Sequence, residues 1–375
     1  MGNFSNFYSL GFVILFLSYL YCRNVFSSIG NIERKLYNIF FIILLFVSAC
    51  RANTVGGDLE HYMPHFHEVA NTNSFRGLFD LFFYNYEPGY TIFVKLSSLI
   101  DPSERCYLFF TSLVSLLGIF VLIRNYSRMP CLSMFIFILL GLYTNTFNNV
   151  RQCMAISITC LSLKYVLDKN FLKFALIVFL ATSFHYSAVA FLLVYPISKI
   201  KFLKRNFYLM LSGGLLICVT LGLLLFVYAR NSLFVKYAEW QDIDEYSAGK
   251  GYFLLTFYLL NALAIFYVYR HLKCRIHGRT TLFIEVSIFM FLLAFFSQLF
   301  ATYMATFTRM SNYFFLPFVV VVPDLIYYFK SSVTKKIAIS SVVLLLYFYM
   351  CLKIYAYVPT LNSNSQGVLP YKFLN

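Results

Sequence analysis

Three arginines, each beside the end of an apolar run, are the residues of this 375-residue chain that first suggest chemistry: Arg51, Arg151 and Arg309. A guanidinium is always charged and fits phosphate oxygens in a two-pronged fork, so arginines gathered at one boundary between lipid and water suit a pyrophosphate group. The other reading of each is an ion pair with a nearby acid, or a side chain stretched to the headgroups. Arg151 is the sharpest of the three. It follows Asn148, Asn149 and Val150, precedes Gln152, and opens an apolar stretch that runs on to Ser183, Phe184, His185 and Tyr186. At bilayer depth an arginine costs about 2.5–3.5 kcal/mol, so it needs an anion or a watery cavity.

Groups able to move a proton lie on either side of it in sequence. Asp58 and Glu60, in Gly-Gly-Asp-Leu-Glu-His-Tyr, could take the proton of a hydroxyl, or could be solvated loop acids. Their alternation also suits a strand or an Asp-x-Glu metal site. His61, His65 and His67 lie close by, but the one pair at helical spacing, His61 and His65, has Pro64 between its members, so no metal is expected. His185 is either a buried, satisfied histidine or a site residue that accepts a hydroxyl proton or binds phosphate. Glu87, just before Pro88 and Gly89, reads as a turn cap or as a second carboxylate near an acceptor.

The elements that must hold these residues are membrane helices. Hydrophobic residues make up 60% of the chain, aromatics 21% and charged residues 12%, with a mean hydropathy of +0.73. A soluble globule carries about 25% charged residues. No polar stretch exceeds roughly 40 residues, below the usual minimum of about 50 for a domain, so residues 1–375 are read as a single membrane-embedded domain of the all-α polytopic class. The net charge of +15 reflects lysines and arginines gathered in cytoplasmic loops, and nucleic acid is not an expected partner. The nine cysteines are an odd number without a Cys-x-x-Cys pair, and read as small core hydrophobes.

Apolar runs predict helices near residues 4–22, 36–50, 106–123, 131–147, 152–167, 171–184, 187–198, 207–228, 251–271, 281–300, 311–329 and 337–356, about twelve in all. Several fall short of the ~20 residues that a full span requires. The segments around His185 are expected to be broken or half-depth, and Gly89–Ile100 re-entrant or interfacial. The first run, Met1–Tyr21, lacks a basic leader and a small-residue cleavage site and is read as a retained helix. Placing the basic clusters inside puts both termini and two long loops, about 51–105 and 229–250, outside. The first loop contains Phe75, Leu78, Phe79, Phe82 and Phe83 at the spacing of an interfacial amphipathic helix, and the second contains the only tryptophan, Trp240.

The order of these features resembles the EpsG-like branch of the Wzy polysaccharide polymerases. The likeness rests on Asn149-x-Arg151-Gln152, one helix, a turn with Lys169 and a second helix closing on Phe184-His185-Tyr186-Ser187-Ala188; it continues, earlier in the chain, in Arg51 with Gly56, Gly57, Asp58 and Tyr62 and in Tyr86-Glu87-Pro88-Gly89-Tyr90, and later in Arg309 with Tyr313. Each piece is short, and the specificity lies in their order along most of the chain. The resemblance implies a bacterial inner-membrane glycosyltransferase that joins undecaprenyl-pyrophosphate-linked oligosaccharide repeat units at the periplasmic or external face. It implies Asp58, His185 and Arg151 as catalytic residues, and Arg51, Tyr62, Glu87, Tyr90, Asn149, Gln152, Arg309 and Tyr313 as substrate-binding ones. It implies no cofactor. The partners implied are the lipid-linked donor and acceptor, the bilayer, and flippase and chain-length regulator proteins. Two rivals remain open: a glycosyltransferase using a polyprenyl-phosphate sugar, and a flippase or transporter of lipid-linked saccharides.

Overall fold

The computed structural model describes residues 30–331 except 53, 75–76, 78–80, 82–85, 202–203, 232–247 and 304–306, together with 333–335, 337–339, 341–342, 344–346, 357–358 and 363–364. The expected helix near 4–22, Trp240 and most of the expected amphipathic helix at Phe75–Phe83 lie outside the described residues. The described chain is helical, apart from a two-residue pairing of Tyr357–Val358 with Ser363–Asn364. Among the described residues five segments are long and apolar enough to cross a membrane: Glu104–Tyr126, Val150–Leu167, Tyr252–Arg275, Arg279–Phe300 and Thr308–Tyr327. A bent pair, Pro130–Leu139 and Leu142–Asn148, makes a sixth if counted as one span. Of the rest of the expected dozen, those near 36–50 and 207–228 are the helices Gly30–Ala49 and Lys204–Asn231, which are not among these candidate spans, and the others are shorter pieces or lie outside the described residues; the protein is a polytopic helical membrane protein.

Two compact units divide the chain. The first takes residues up to Leu161, Leu180–Tyr186 and those from Phe329 onward; the second takes Ser162–Phe179 and Ser187–Tyr328.

In the first unit, α1 (Gly30–Ala49), α2 (Leu59–Asn71), α3 (Pro88–Ile100), α4 (Glu104–Tyr126), α5 (Pro130–Leu139), α6 (Leu142–Asn148) and the start of α7 (Val150–Leu167) follow in order. The segment expected as the first long external loop contains two helices, α2 and α3, packed on each other and on α4. Local chemistry sets the boundaries. Pro88 and Pro130 stand at first helical positions, where a missing N–H is no loss. Ser103 Oγ caps α4 by accepting from the Cys106 N–H at 3.3 Å. Gly141, at φ +71°, lets the chain bend by 54° between α5 and α6.

The interior of this unit is held by small and polar residues, as suits helices that gain nothing from excluding lipid. Gly118 on α4 lies so close to α7 that a Cβ would strike the Ser157 carbonyl, and its N–H donates to Ser157 Oγ at 2.8 Å. Tyr37 donates to the Phe120 carbonyl at 2.6 Å and Tyr143 to that of Leu44 at 2.7 Å. Helix α3 is inverted relative to a water-soluble helix: Tyr90, Thr91, Ser97 and Ser98 are buried, while Ile92, Leu96, Leu99 and Ile100 are 44–69% exposed. Its 13 residues reach about 20 Å, too short to cross.

The second unit contains the 3-10 turn Tyr186–Leu193 from Ser187 onward and most of α8 (Phe171–Phe184), whose last residues belong to the first unit. It also contains α9 (Val194–Ser198), α10 (Lys204–Asn231), α11 (Ala248–Leu272), α12 (Arg279–Phe300), α13 (Thr308–Phe315) and α14 (Phe318–Tyr327). Helix α12 is its axis, packed against α9, α10, α11, α13 and α14. Polar ties bind its Arg279 end: Glu285 accepts from Tyr269 and from Lys273, each at 2.9 Å, and Arg279 pairs with Asp168.

Candidate active site

Glu87 is the centre of the site. It stands at the N-cap position of α3 but makes no side-chain cap bond. Pro88 keeps it extended, at φ −61° and ψ 142°, and its carboxylate turns away to two other elements. Oε2 accepts from Arg151 Nη1 at the start of α7. Oε1 accepts from His185 Nδ1 at 2.7 Å, and from the Tyr186 N–H at 3.4 Å, just past the end of α8. Two helix starts and one helix end are thereby joined through a single carboxylate.

Burial makes this arrangement strong. The Glu87 side chain is 4% exposed, that of His185 12% and that of Arg151 21%. Burial would raise the Glu87 carboxyl, but the His185 hydrogen bond and the Arg151 charge outweigh it and hold it down to about 2. It is therefore an anion at neutral pH. A carboxylate on Nδ1 fixes the neutral imidazole with its proton there, which leaves the Nε2 lone pair as the basic atom. Glu87 thus orients a histidine whose other nitrogen makes no hydrogen bond among the described residues.

Tyrosines wall the arginine. Arg151 Cζ lies 4.5 Å from the Tyr86 ring centroid, 5.6 Å from Tyr62 and 6.0 Å from Tyr90. Its Nε donates to the Tyr62 hydroxyl at 3.4 Å. With Nη1 on Glu87 and Nε on Tyr62, Nη2 is the part of the fork without a hydrogen bond among the described residues. The cage is braced from behind: Tyr90 and Tyr107 share a 2.6 Å hydroxyl bond, and Tyr86 donates to the His61 carbonyl at 3.0 Å. His65 lies against Tyr86, 4.2 Å between ring centroids. Burial and the Arg151 charge push its imidazole down to about 4, so it is neutral and adds no second cation.

Asp58 starts α2, one turn before Tyr62, and its charge is felt by the phenols of both Tyr62 and Tyr86. Its loop is fixed by two glycines. Gly56 adopts φ +111° with its α-carbon so near the Phe147 carbonyl that a Cβ would overlap it. The Gly57 N–H donates to Asn148 Oδ1 at 2.6 Å.

Residues 34–373 match the EpsG family. The chain belongs to the EpsG family. Membership of the EpsG family, with the apolar helices, makes this a membrane protein of polysaccharide biosynthesis. No curated protein and no solved structure matches it.

Within this EpsG protein the residues expected at the site fall into four groups. Tyr62, Glu87, Tyr90, Arg151 and His185 are brought into one cluster, with Asp58 in electrostatic range. Asn149 and Gln152 flank Arg151; Asn149 donates to Asn145 at 2.8 Å across the joint between α6 and α7, and Gln152 is 3% exposed. Arg51 is 1% exposed, its Nη1 bound to the Ser48 carbonyl and, at 3.1 Å each, to the hydroxyls of Ser48 and Ser112, with Phe147 beneath it at 5.0 Å. That environment makes it a brace between α1 and α4. Arg309 and Tyr313 belong to the second unit, where Arg309 is exposed and Tyr313 accepts from Ser187 at 3.1 Å.

Tyr86 and His65 were not expected as site residues. Tyr86 was legible as the first residue of the Tyr-Glu-Pro-Gly-Tyr stretch, whereas nothing in the sequence sets His65 apart from its two histidine neighbours.

Proposed function

We propose that the protein is a polymerase of lipid-linked saccharides, transferring a growing chain from a polyprenyl pyrophosphate, undecaprenyl in a bacterium, to a hydroxyl of a new lipid-linked repeat unit at the external face of the inner membrane. The observation that carries this reading is the His185–Glu87–Arg151 constellation: an oriented base and an anion-binding fork joined through one buried carboxylate.

His185 Nε2 takes the proton of the acceptor hydroxyl. The hydroxyl oxygen forms its bond to the anomeric carbon as the bond from that carbon to the pyrophosphate oxygen breaks. The pyrophosphate leaves with the electron pair. Arg151 Nη2, at the N-terminal and positive end of α7, stabilises the charge that develops there. Glu87 holds the base in the right tautomer and keeps Arg151 from drifting. The partly exposed Tyr86 ring beside Arg151 offers flat apolar surface to a sugar ring. Asp58 is the other candidate for the base.

The test is surface polysaccharide from a deletion strain complemented with Arg151→Ala or His185→Ala, with the amount of variant in the membrane measured. Single repeat units without longer chains are expected from both. A normal ladder of chain lengths from either variant removes that residue from the mechanism. Loss of even single units overturns the polymerase reading in favour of a flippase.

A further inference from the structure

The hydrogen bond between Glu87 and His185 depends on how closely α3 approaches the end of α8, and one point sets that approach. Gly89, two residues after Glu87, lies against Ser183, two residues before His185. A Cβ on Gly89 would overlap the Oγ and Cβ of Ser183 and press on its carbonyl. Ser183 has little freedom to yield, because its hydroxyl donates to the Leu180 carbonyl at 2.7 Å within α8. One turn along α3, Phe93 meets Phe184 edge-on at 5.8 Å between centroids, so the contact continues and is not a single grazing point. Beyond it the chain leaves α8, and the Glu87 carboxylate receives both His185 Nδ1 and the Tyr186 N–H.

We infer that Gly89 and Ser183 are positioning residues whose backbone-close contact sets the Glu87–His185 hydrogen bond, and with it the orientation of the base. The inference rests on the reading of His185 as the base. A methyl group at position 89 must push α3 away from α8 by a good fraction of an ångström or more, and a misplacement of about 1 Å costs on the order of 100-fold in rate. Gly89 need not supply unusual backbone angles here, since it lies inside a helix; what it supplies is the absence of a side chain.

The experiment compares Gly89→Ala, Gly89→Ala with Ser183→Gly, and His185→Ala in the complemented deletion strain. Chain-length distribution and membrane abundance are read for each. Gly89→Ala is expected to lower the yield of long chains by about tenfold or more while remaining in the membrane. Removing the Oγ and Cβ of Ser183 in the double variant is expected to restore most of that loss. A general folding defect predicts no such rescue. A normal ladder from Gly89→Ala, or a double variant no better than the single one, overturns the inference. If His185→Ala polymerises normally while rescue is still seen, the contact stands and the role of His185 falls. The two failures are thereby told apart.

Discussion

His185 donates from Nδ1 to Glu87 Oε1 at 2.7 Å across 98 positions of sequence, and Arg151 holds the other oxygen of the same carboxylate. The carboxylate is thus shared between a base and a cation. Removing it disables both at once.

Glu87→Ala leaves Arg151 among tyrosine rings without its acid. Breaking a buried pair from one side costs about 3–5 kcal/mol, and partial exposure of Arg151 places the expected loss at the lower end. Replacing both, Glu87→Leu with Arg151→Met, is expected to cost less than Glu87→Ala alone. Thermal unfolding of the purified protein in detergent would measure this. Strictly additive effects would mean the two side chains are not coupled.

Acid stability has two expected limbs. Glu87 has its carboxyl lowered from 4.5 to about 2, so its contribution is complete above pH 4.5 and is lost as pH falls through 2. His65 is lowered from 6.5 to about 4, so between those values the unfolded chain binds a proton that the folded one refuses. Stability therefore falls as pH drops from 6.5 toward 4, by at most about 3 kcal/mol. His65→Phe should flatten that upper limb and leave the lower one. An unchanged slope between pH 6.5 and 4 would contradict the account of His65.

Two glycines at positive φ should differ sharply. Gly278, at φ +67°, has nothing within 4 Å of where a Cβ would stand, so Gly278→Ala bears backbone strain alone, about 1–2 kcal/mol. Gly56→Ala adds overlap with the Phe147 carbonyl and should destabilise by more. Equal unfolding midpoints for the two variants would show that the Gly56 loop moves aside freely.

Not every arginine ion pair matters to the site. Arg279 pairs with Asp168, but their side chains are 52% and 38% exposed. Arg279→Ala is expected to change stability by no more than about 1 kcal/mol and to leave the polysaccharide ladder intact. A ladder lost from Arg279→Ala at normal membrane abundance would extend the functional region well beyond Glu87.

Much of this was legible in the sequence because charged residues in so apolar a chain are rare enough to be informative. Arg151 and His185 stand out at the two ends of one helical hairpin, and Glu87 stands beside a proline that forces it extended. What sequence could not give is which cation the acid would choose. Arg51 looks like Arg151, with one polar neighbour and one apolar run, yet Ser48 and Ser112 take it into the interior. Serines 3 positions before it and 61 positions after it carry no pattern that marks them as partners. The 51–105 region read as an external loop with a re-entrant or interfacial run at Gly89–Ile100, and in α3, which forms that run, Ser97 and Ser98 are buried. Helix bounds were read best at the short run 171–184, which is the helix Phe171–Phe184, and less closely at 106–123, where the helix runs from Glu104 to Tyr126.

That inverted helix has a further consequence. In water, α3 would gain by turning Ile92, Leu96, Leu99 and Ile100 inward and Ser97 and Ser98 outward, about half a rotation from its present setting. Rotating a helix about its axis also swings whatever hangs from its first residue, and Glu87 hangs there. Acyl chains wetting the outer stripe would make the present rotation the lower in energy. The bilayer is in that sense a fourth member of the His185–Glu87–Arg151 constellation, and detergents that wet the stripe poorly should disarm the protein before they unfold it.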